Sequence, residues 1–188
     1  MGHGGTVIEE LTADHREVEE LFAKIEALPP VHEKRKQYAD QATIALVRHS
    51  VAEEEYLYPA VRSHVVGGEA LAAKELADNE GTERLLKDLE GLGGEDPAFD
   101  HILTSLIQEI RTHVRDQEGN LFPRLDEALP QPVLAELGDK VRRVKKHAPT
   151  RPHPASPHKP PAVKLVAPGI GLVDRTRDAL SGRGKVKD

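Results

Sequence analysis

The sequence predicts an all-α protein: a four-helix bundle made of two similar αα-hairpins, with a short extra C-terminal helix and a Pro-rich tail. Three observations predict it. Apolar residues recur at helical spacing over long segments, and Pro and Gly clusters separate those segments. In addition, the chain shifted by 64 residues falls on itself without a gap, which lays "LTADHREVEELFAKIEAL" at 11–28 over "ELADNEGTERLLKDLEGL" at 75–92. That alignment matches Ala13-Asp14 with Ala77-Asp78, Glu19 with Glu83, Leu21-Phe22 with Leu85-Leu86 and Ile25 with Leu89.

The first helix opens at Thr6 and Glu9, spaced as a capping box, and carries Val7, Ile8, Leu11, His15, Val18, Leu21, Phe22, Ile25 and Leu28 before Pro29-Pro30 end it. The second, over about 32–64, places Tyr38, Ala42, Ala45, Leu46, His49, Glu53, Tyr56, Leu57, Ala60 and Val61 on one side. Pro59 should kink or break it, and Gly67-Gly68 should stop it. A third runs over about 69–91 to the loop "GLGGEDP". The fourth starts near Pro97 with Phe99, Ile102, Leu103, Leu106, Ile107, Ile110, His113, Val114, Gln117 and Leu121 inward, and Pro123 should disturb its end. This gives a bundle over 1–128 and a short helix within 129–148, at about 131–146. The tail, 149–188, should be mostly irregular because of its prolines, although "GLVDRTRDAL" has the length of a two-turn helix.

Composition narrows the function. There is no cysteine, so disulfides and thiolate metal sites are excluded. No apolar run approaches the ~20 residues needed to span a bilayer, and "MGHGGTVIEE" lacks the basic and apolar parts of a signal peptide. The expectation is a soluble cytoplasmic protein. The net charge of −6 hides an asymmetry: from Asp139 onward 13 Lys and Arg face 4 Asp and Glu, a net +9, which leaves 13 basic and 28 acidic residues, a net −15, in the rest. Such a tail is either a solvated linker or a contact for an acidic partner or surface, and nothing in it suggests sequence-specific nucleic-acid recognition.

The chemistry concentrates in a repeated frame, "RHSVAEEEYLYP" at 48–59 and "THVRDQEGNLFP" at 112–123. In each, a His is followed by Glu at five, Leu at eight, an aromatic at nine and Pro at ten. The shift also pairs His15 with Asn79, His49 with His113, Glu53 with Gln117, Glu54 with Glu118 and Tyr56 with Asn120. At about 100° per residue His49, Glu53 and Tyr56 share one face of the second helix, among residues expected in the core. Buried polar groups need partners, since an unpaired one costs roughly 1–3 kcal/mol. Histidines aimed inward from three helices, two with a carboxylate close by, suit a non-haem iron or manganese pair. Glu53 would be a ligand or bridge and Tyr56 would point at the metals, with Glu54 and Glu55 behind them or facing solvent.

The segments "DHREVEELF", "HSVAEEEYLYP" and "HVRDQEGNLFP" together resemble the hemerythrin-like HHE domain over about residues 6–128. The resemblance implies an up-down four-helix bundle and two non-haem iron ions with an oxo or hydroxo bridge, a centre that meets O2, hydrogen peroxide or nitric oxide. Carried over by position, the metal ligands would be His15, His49, Glu53, His113 and a carboxylate after His113. Two departures stand out. Asn79 occupies the place of the helix-three histidine, so Tyr56, Glu83 or a water would have to complete the second iron. Gln117 replaces a frequent Glu, which makes Glu118 the better bridging candidate, although an ideal helix turns it about 140° from His113 and local distortion near Gly119 would be required. The remaining histidines, His3, His32, His64, His101, His147, His153 and His158, read as surface or linker residues, and Tyr58 and Phe122 as packing.

The implied function is binding or turnover of a small oxidant (O2, hydrogen peroxide or nitric oxide), with catalase-like peroxide dismutation as its enzyme form. The alternative is an iron- or redox-sensing, or oxygen-binding, interaction protein without turnover.

Overall fold

The computed structural model describes residues 5–155 and 162–185, the side chains of 162–167 excepted, and the expectations placed on His3 and His158 fall outside them. Eight α-helices and two π-turns are present among the described residues: α1 (Val7–Glu26), α2 (Glu33–Ala52), α3 (Tyr58–His64), α4 (Gly68–Glu90), α5 (Pro97–Asp116), α6 (Phe122–Ala128), α7 (Gln131–Lys145) and α8 (Ala162–Ser181), with π-turns at Glu53–Leu57 and Gln117–Leu121. The π-turns join α2 to α3 and α5 to α6 without a break, so the bundle has four rods: α1, α2–α3, α4 and α5–α6.

Local chemistry accounts for the ends. Thr6 and Glu9 close the capping box of α1, Thr6 N donating to Glu9 Oε2 at 2.7 Å and Glu9 N to Thr6 Oγ1 at 3.3 Å. Asp96 caps α5, accepting from Ala98 N at 2.8 Å with Pro97 in the first turn. At Gly68 a Cβ would lie 2.0 Å from the carbonyl oxygen of Val61, so only glycine lets α4 turn back so tightly on α3.

The expected kinks at Pro59 and Pro123 take a specific form. Proline has no N–H to give to the carbonyl four residues back, and its ring crowds that carbonyl. Each rod widens by one residue instead, so that Tyr58 N donates to Glu53 O and Phe122 N to Gln117 O, five residues back. A residue inserted this way sets everything after it back by about 100° around the rod.

The core has two apolar clusters. One holds Val18, Leu21, Phe22, Ile25, Leu46, Leu86, Leu89, Phe99, Leu103, Leu106 and Ile110; the other holds Val7, Leu11, Leu57, Tyr58, Val61, Phe122, Leu125, Leu134 and Val141. Between them lies a buried polar layer of Asp14, His15, His49, Glu53, Glu75, Asn79, Thr82, His113 and Gln117.

The C-terminal region departs from the expected irregular tail. Helix α7 packs on α1 and α2 through Leu134 and Val141, and at Gly138 it comes so close that a Cβ would lie 2.2 Å from the carbonyl oxygen of Gly5. Helix α8 forms despite Pro168, because its two acids face inward and bind the preceding segment. Thr150 Oγ1 donates to Asp178 at 2.6 Å, Arg151 N to Asp174 at 3.1 Å, and Arg183 Nη1 to the carbonyl of Thr150 at 2.9 Å. His153, read from sequence as a surface or linker residue, places Nε2 2.9 Å from Asp174. No described helix is long and apolar enough to cross a membrane.

Candidate metal centre

The π-turns decide which side chains enter the polar layer. Nine positions along an uninterrupted helix lie about 180° away, but with one residue absorbed the ninth falls where the eighth would, about 80° from the histidine. Tyr58 is thereby brought to the layer, buried at 1 % exposure, and donates to Glu53 Oε2 at 2.9 Å. Tyr56 is carried away from it. Only half-buried, it packs beside α7 and feels the charges of Lys140 and Arg143, so the expectation that it points at the metals does not match its position. The same correction brings Glu118 round toward the layer as the sequence required, but to its rim. Its Oε1 lies 2.8 Å from His15 Nδ1, and its Oε2 accepts from Arg16 at 2.6 Å. Phe122 stacks on His15 with ring centroids 5.8 Å apart.

Three histidines converge from three rods, each with a carboxylate near Nδ1, hydrogen-bonded at His15 and His49 and more distant at His113. Glu118 serves His15, Asp14 serves His49 at 3.1 Å, and Glu75 lies 3.5 Å from His113. This leaves the Nε2 atoms of His15, His49 and His113 buried and without a hydrogen bond. Nε2 of His49 is 3.2 Å from Glu53 Oε1 but poorly aligned for a bond. Imidazoles oriented through Nδ1 with Nε2 kept bare are the arrangement that metal-binding histidines adopt.

Glu53 is fully buried and is held by Tyr58, by Asn79 Nδ2 at 3.1 Å and by Gln117 Nε2 at 2.6 Å. The same Gln117 nitrogen donates to Glu75 at 3.0 Å, and Asn79 also reaches the Tyr58 hydroxyl at 2.9 Å. As these side chains stand, among the described residues no three His, Asp or Glu groups gather closely enough to hold one ion. Glu53 is committed to its neutral donors instead. The donor set nonetheless fits a metal, because three buried imidazole nitrogens make no hydrogen bond, that of His49 meeting only the poorly aligned Glu53 oxygen, and the carboxylates of Glu53 and Glu75 lie in the same layer.

Charge is divided unevenly. Burial would depress the His49 imidazole, but Glu53 and Asp14 outweigh it and raise His49 to about 9. Burial and the neighbouring His49, whose ring centroid is 5.0 Å away, push His15 down to about 4. Glu53 resists the effect of burial through His49, His113 and Gln117, and stays well below the usual carboxylate range. Burial raises Glu75. A small cavity of about 20 Å³ adjoins the layer, lined by His15, His49, Asn79 and His113 and by the apolar Val18, Leu46, Ile110 and Val114.

These features coincide with the matched family. The hemerythrin HHE cation binding domain profile matches residues 6–125. The chain belongs to this family. The matched residues end before α7. An uncharacterized hemerythrin-like protein of Schizosaccharomyces pombe is 24 % identical over 168 residues, 89 % of this chain and 82 % of that protein. A Nostoc protein named as a DNA nickase is 33 % identical over 110 residues, 58 % of this chain, which span 30 % of its own length. The crystal structure of an HHE cation-binding domain-containing protein from Mycobacterium kansasii superposes with a TM-score of 0.66 at 23 % identity, covering 75 % of this chain and 85 % of that one.

Of the residues expected from sequence, His15, His49, Glu53 and His113 lie together in the layer, Glu118 stands behind His15, and Tyr56 lies outside. Glu83 accepts from His153 N at 2.8 Å and is likewise outside. Sequence reading missed Glu75. It falls on the inward face of α4 with Ala72, Leu76, Asn79 and Leu86, and the apolar phase of that helix would have found it.

Proposed function

We propose that the polar layer holds two non-haem iron ions with an oxo or hydroxo bridge and that the protein binds or turns over O2, hydrogen peroxide or nitric oxide. His15, His49 and His113 would donate through Nε2, and Glu53 and Glu75 would be the carboxylates. Tyr58, not Tyr56, would border the metals on the Asn79 side, where its hydroxyl donates to Glu53 and accepts from Asn79. The observation that carries this reading is the set of three buried Nε2 atoms without hydrogen bonds. Such a pair supplies reversible electron transfer and Lewis acidity.

The chain's own residues set the conditions. Glu53 remains ionised under its three donors, Tyr58 keeps its proton on the hydroxyl oxygen facing Glu53, and Val18, Leu46, Ile110 and Val114 give the cavity apolar walls beside its polar ones. The cavity has room for a water-sized ligand, which favours a small oxidant over an organic substrate. A donor set rich in oxygen favours the ferric state, and with it peroxide turnover over reversible O2 carriage.

Purified protein should bind about two iron ions per chain by metal assay and anomalous scattering. Reduced protein mixed with air-saturated buffer should then oxidise rapidly without a lasting oxygenated spectrum. A well-folded chain that stays empty after iron loading would falsify the reading, and a stable oxygenated spectrum would turn it to carriage.

A further inference from the structure

Helix α7 lies outside the part of the chain matched to the family, yet two of its side chains reach buried acids on α1. Glu10 and Asp14, one turn apart, are 0 % and 6 % exposed. Arg142 donates to Glu10 Oε1 at 2.7 Å and to the carbonyl of Gly5 at 3.0 Å. Lys145, three residues on, donates from Nζ to Asp14 Oδ1. The other oxygen of Asp14 lies 3.1 Å from His49 Nδ1.

We infer that Lys145 is a positioning residue for the metal centre: through Asp14 it fixes the His49 ring so that Nε2 faces the polar layer. A carboxylate buried this deeply is costly unless its charge is met and its oxygens are bonded. Lys145 and His49 divide that task, one at each oxygen. Without Lys145 one oxygen of Asp14 loses its partner, and the carboxylate is no longer held in the one orientation that presents its other oxygen to His49 Nδ1. His49 then loses the fixed acceptor that orients it. Arg142 sits on the same face of α7 and anchors the same helix, but its acid, Glu10, lies one turn further from His49. The two cations therefore separate docking of α7 from orientation of His49.

This inference rests on the proposed metal site, and its test has one arm that does not. In iron-loaded protein, Lys145→Met should speed release of iron to a chelator about 10-fold, the low end of the about 10- to 100-fold loss in affinity that follows removal of a group bonded directly to a metal-bound histidine, because Asp14 stands between the two. Lys145→Arg should restore slow release, because it keeps the cation. Arg142→Met should lower the thermal midpoint while leaving release within a few-fold of the parent. In metal-free protein, nitrogen-15 shifts of the His49 ring should show one fixed arrangement in the parent and in Lys145→Arg, and averaging in Lys145→Met. Equal release and unchanged His49 shifts in Lys145→Met would overturn the inference. So would Arg142→Met matching Lys145→Met in both readouts. If the parent binds no iron, the metal reading fails and the ring shifts alone decide the role of Lys145.

Discussion

The two hairpins share a backbone and differ in what they put on it. Both run through a long helix, a π-turn at the same place after a histidine, and a short helix opened by proline. The first hairpin supplies His15, His49 and Glu53 to the polar layer, whereas the second supplies His113 with two neutral amides, Asn79 and Gln117, at the matching positions, and Glu75 opposite Leu11. The difference teaches how one half makes the other tolerable. Glu53 is a buried charge, and the amides of the second hairpin give it hydrogen bonds without adding a second charge. Repeated geometry comes from turns and apolar spacing; the donor chemistry has diverged on top of it.

The harshest way to break this comparison is to remove the inserted residue. Deleting Glu55 or Gly119 should swing the following short helix by about 100°, taking Tyr58 off Glu53 in one hairpin and Phe122 off His15 in the other. Each deletion should cost about 5 kcal/mol, roughly 10–20 °C in thermal midpoint, with the larger loss in the first hairpin because an ionised Glu53 is left short of a donor.

His49→Ala should come next. It leaves both Asp14 and Glu53 buried without their shared imidazole, a cost of about 3–5 kcal/mol in chemical denaturation, and it should abolish iron retention. Substituting His101, which is exposed on α5, should change neither stability nor metal content.

Gln117→Glu sharpens the comparison by giving the second hairpin the carboxylate of the first. It would bring a third acid against Glu53 and Glu75, so metal-free protein should lose about 1–3 kcal/mol while the gain in midpoint on adding ferrous iron grows. A mutant equally stable without metal would show that the amide does not serve to hold Glu53.

The smallest effect separates the two tyrosines. Tyr58→Phe should cost about 1–2 kcal/mol, since Glu53 and Asn79 both lose the hydroxyl, and Tyr56→Phe close to nothing.

Much of this was legible in the sequence. The capping box at Thr6 and Glu9 and the duplication were visible as local spacing and self-similarity, and the four rods and the inward turn of His15, His49 and His113 follow from helical phase, because a residue's face is a local property of its own helix. The choice of Tyr56 over Tyr58 failed where the phase itself changes. A constant 100° per residue cannot anticipate a turn that absorbs one extra position, although the proline ten residues after each histidine is the visible cause. The sequence did register the problem at Glu118, whose position needed a distortion near Gly119. Helix α8 was legible only as the two turns of "GLVDRTRDAL", and its full length and docking were not, for another reason. Its stability lies in Asp174 and Asp178 meeting Thr150, Arg151 and His153 across a Pro-rich segment, and such pairings leave no periodic trace.

The docked C-terminal region also changes what the charge asymmetry means to anything approaching the protein. Lys145 meets Asp14, Arg142 meets Glu10, Arg151 meets Glu90 and Arg183 lies 3.4 Å from Asp40, so cations from the basic end are set against acids of the bundle. Beyond a screening length of about 8 Å at physiological salt, such opposed charges largely cancel. A distant polyanion then meets the field of a body with a net charge of −6 and not that of a strand carrying +9, and should be weakly repelled. For Arg142, Lys145, Arg151 and Arg183, the acidic surface that suits them is the protein's own.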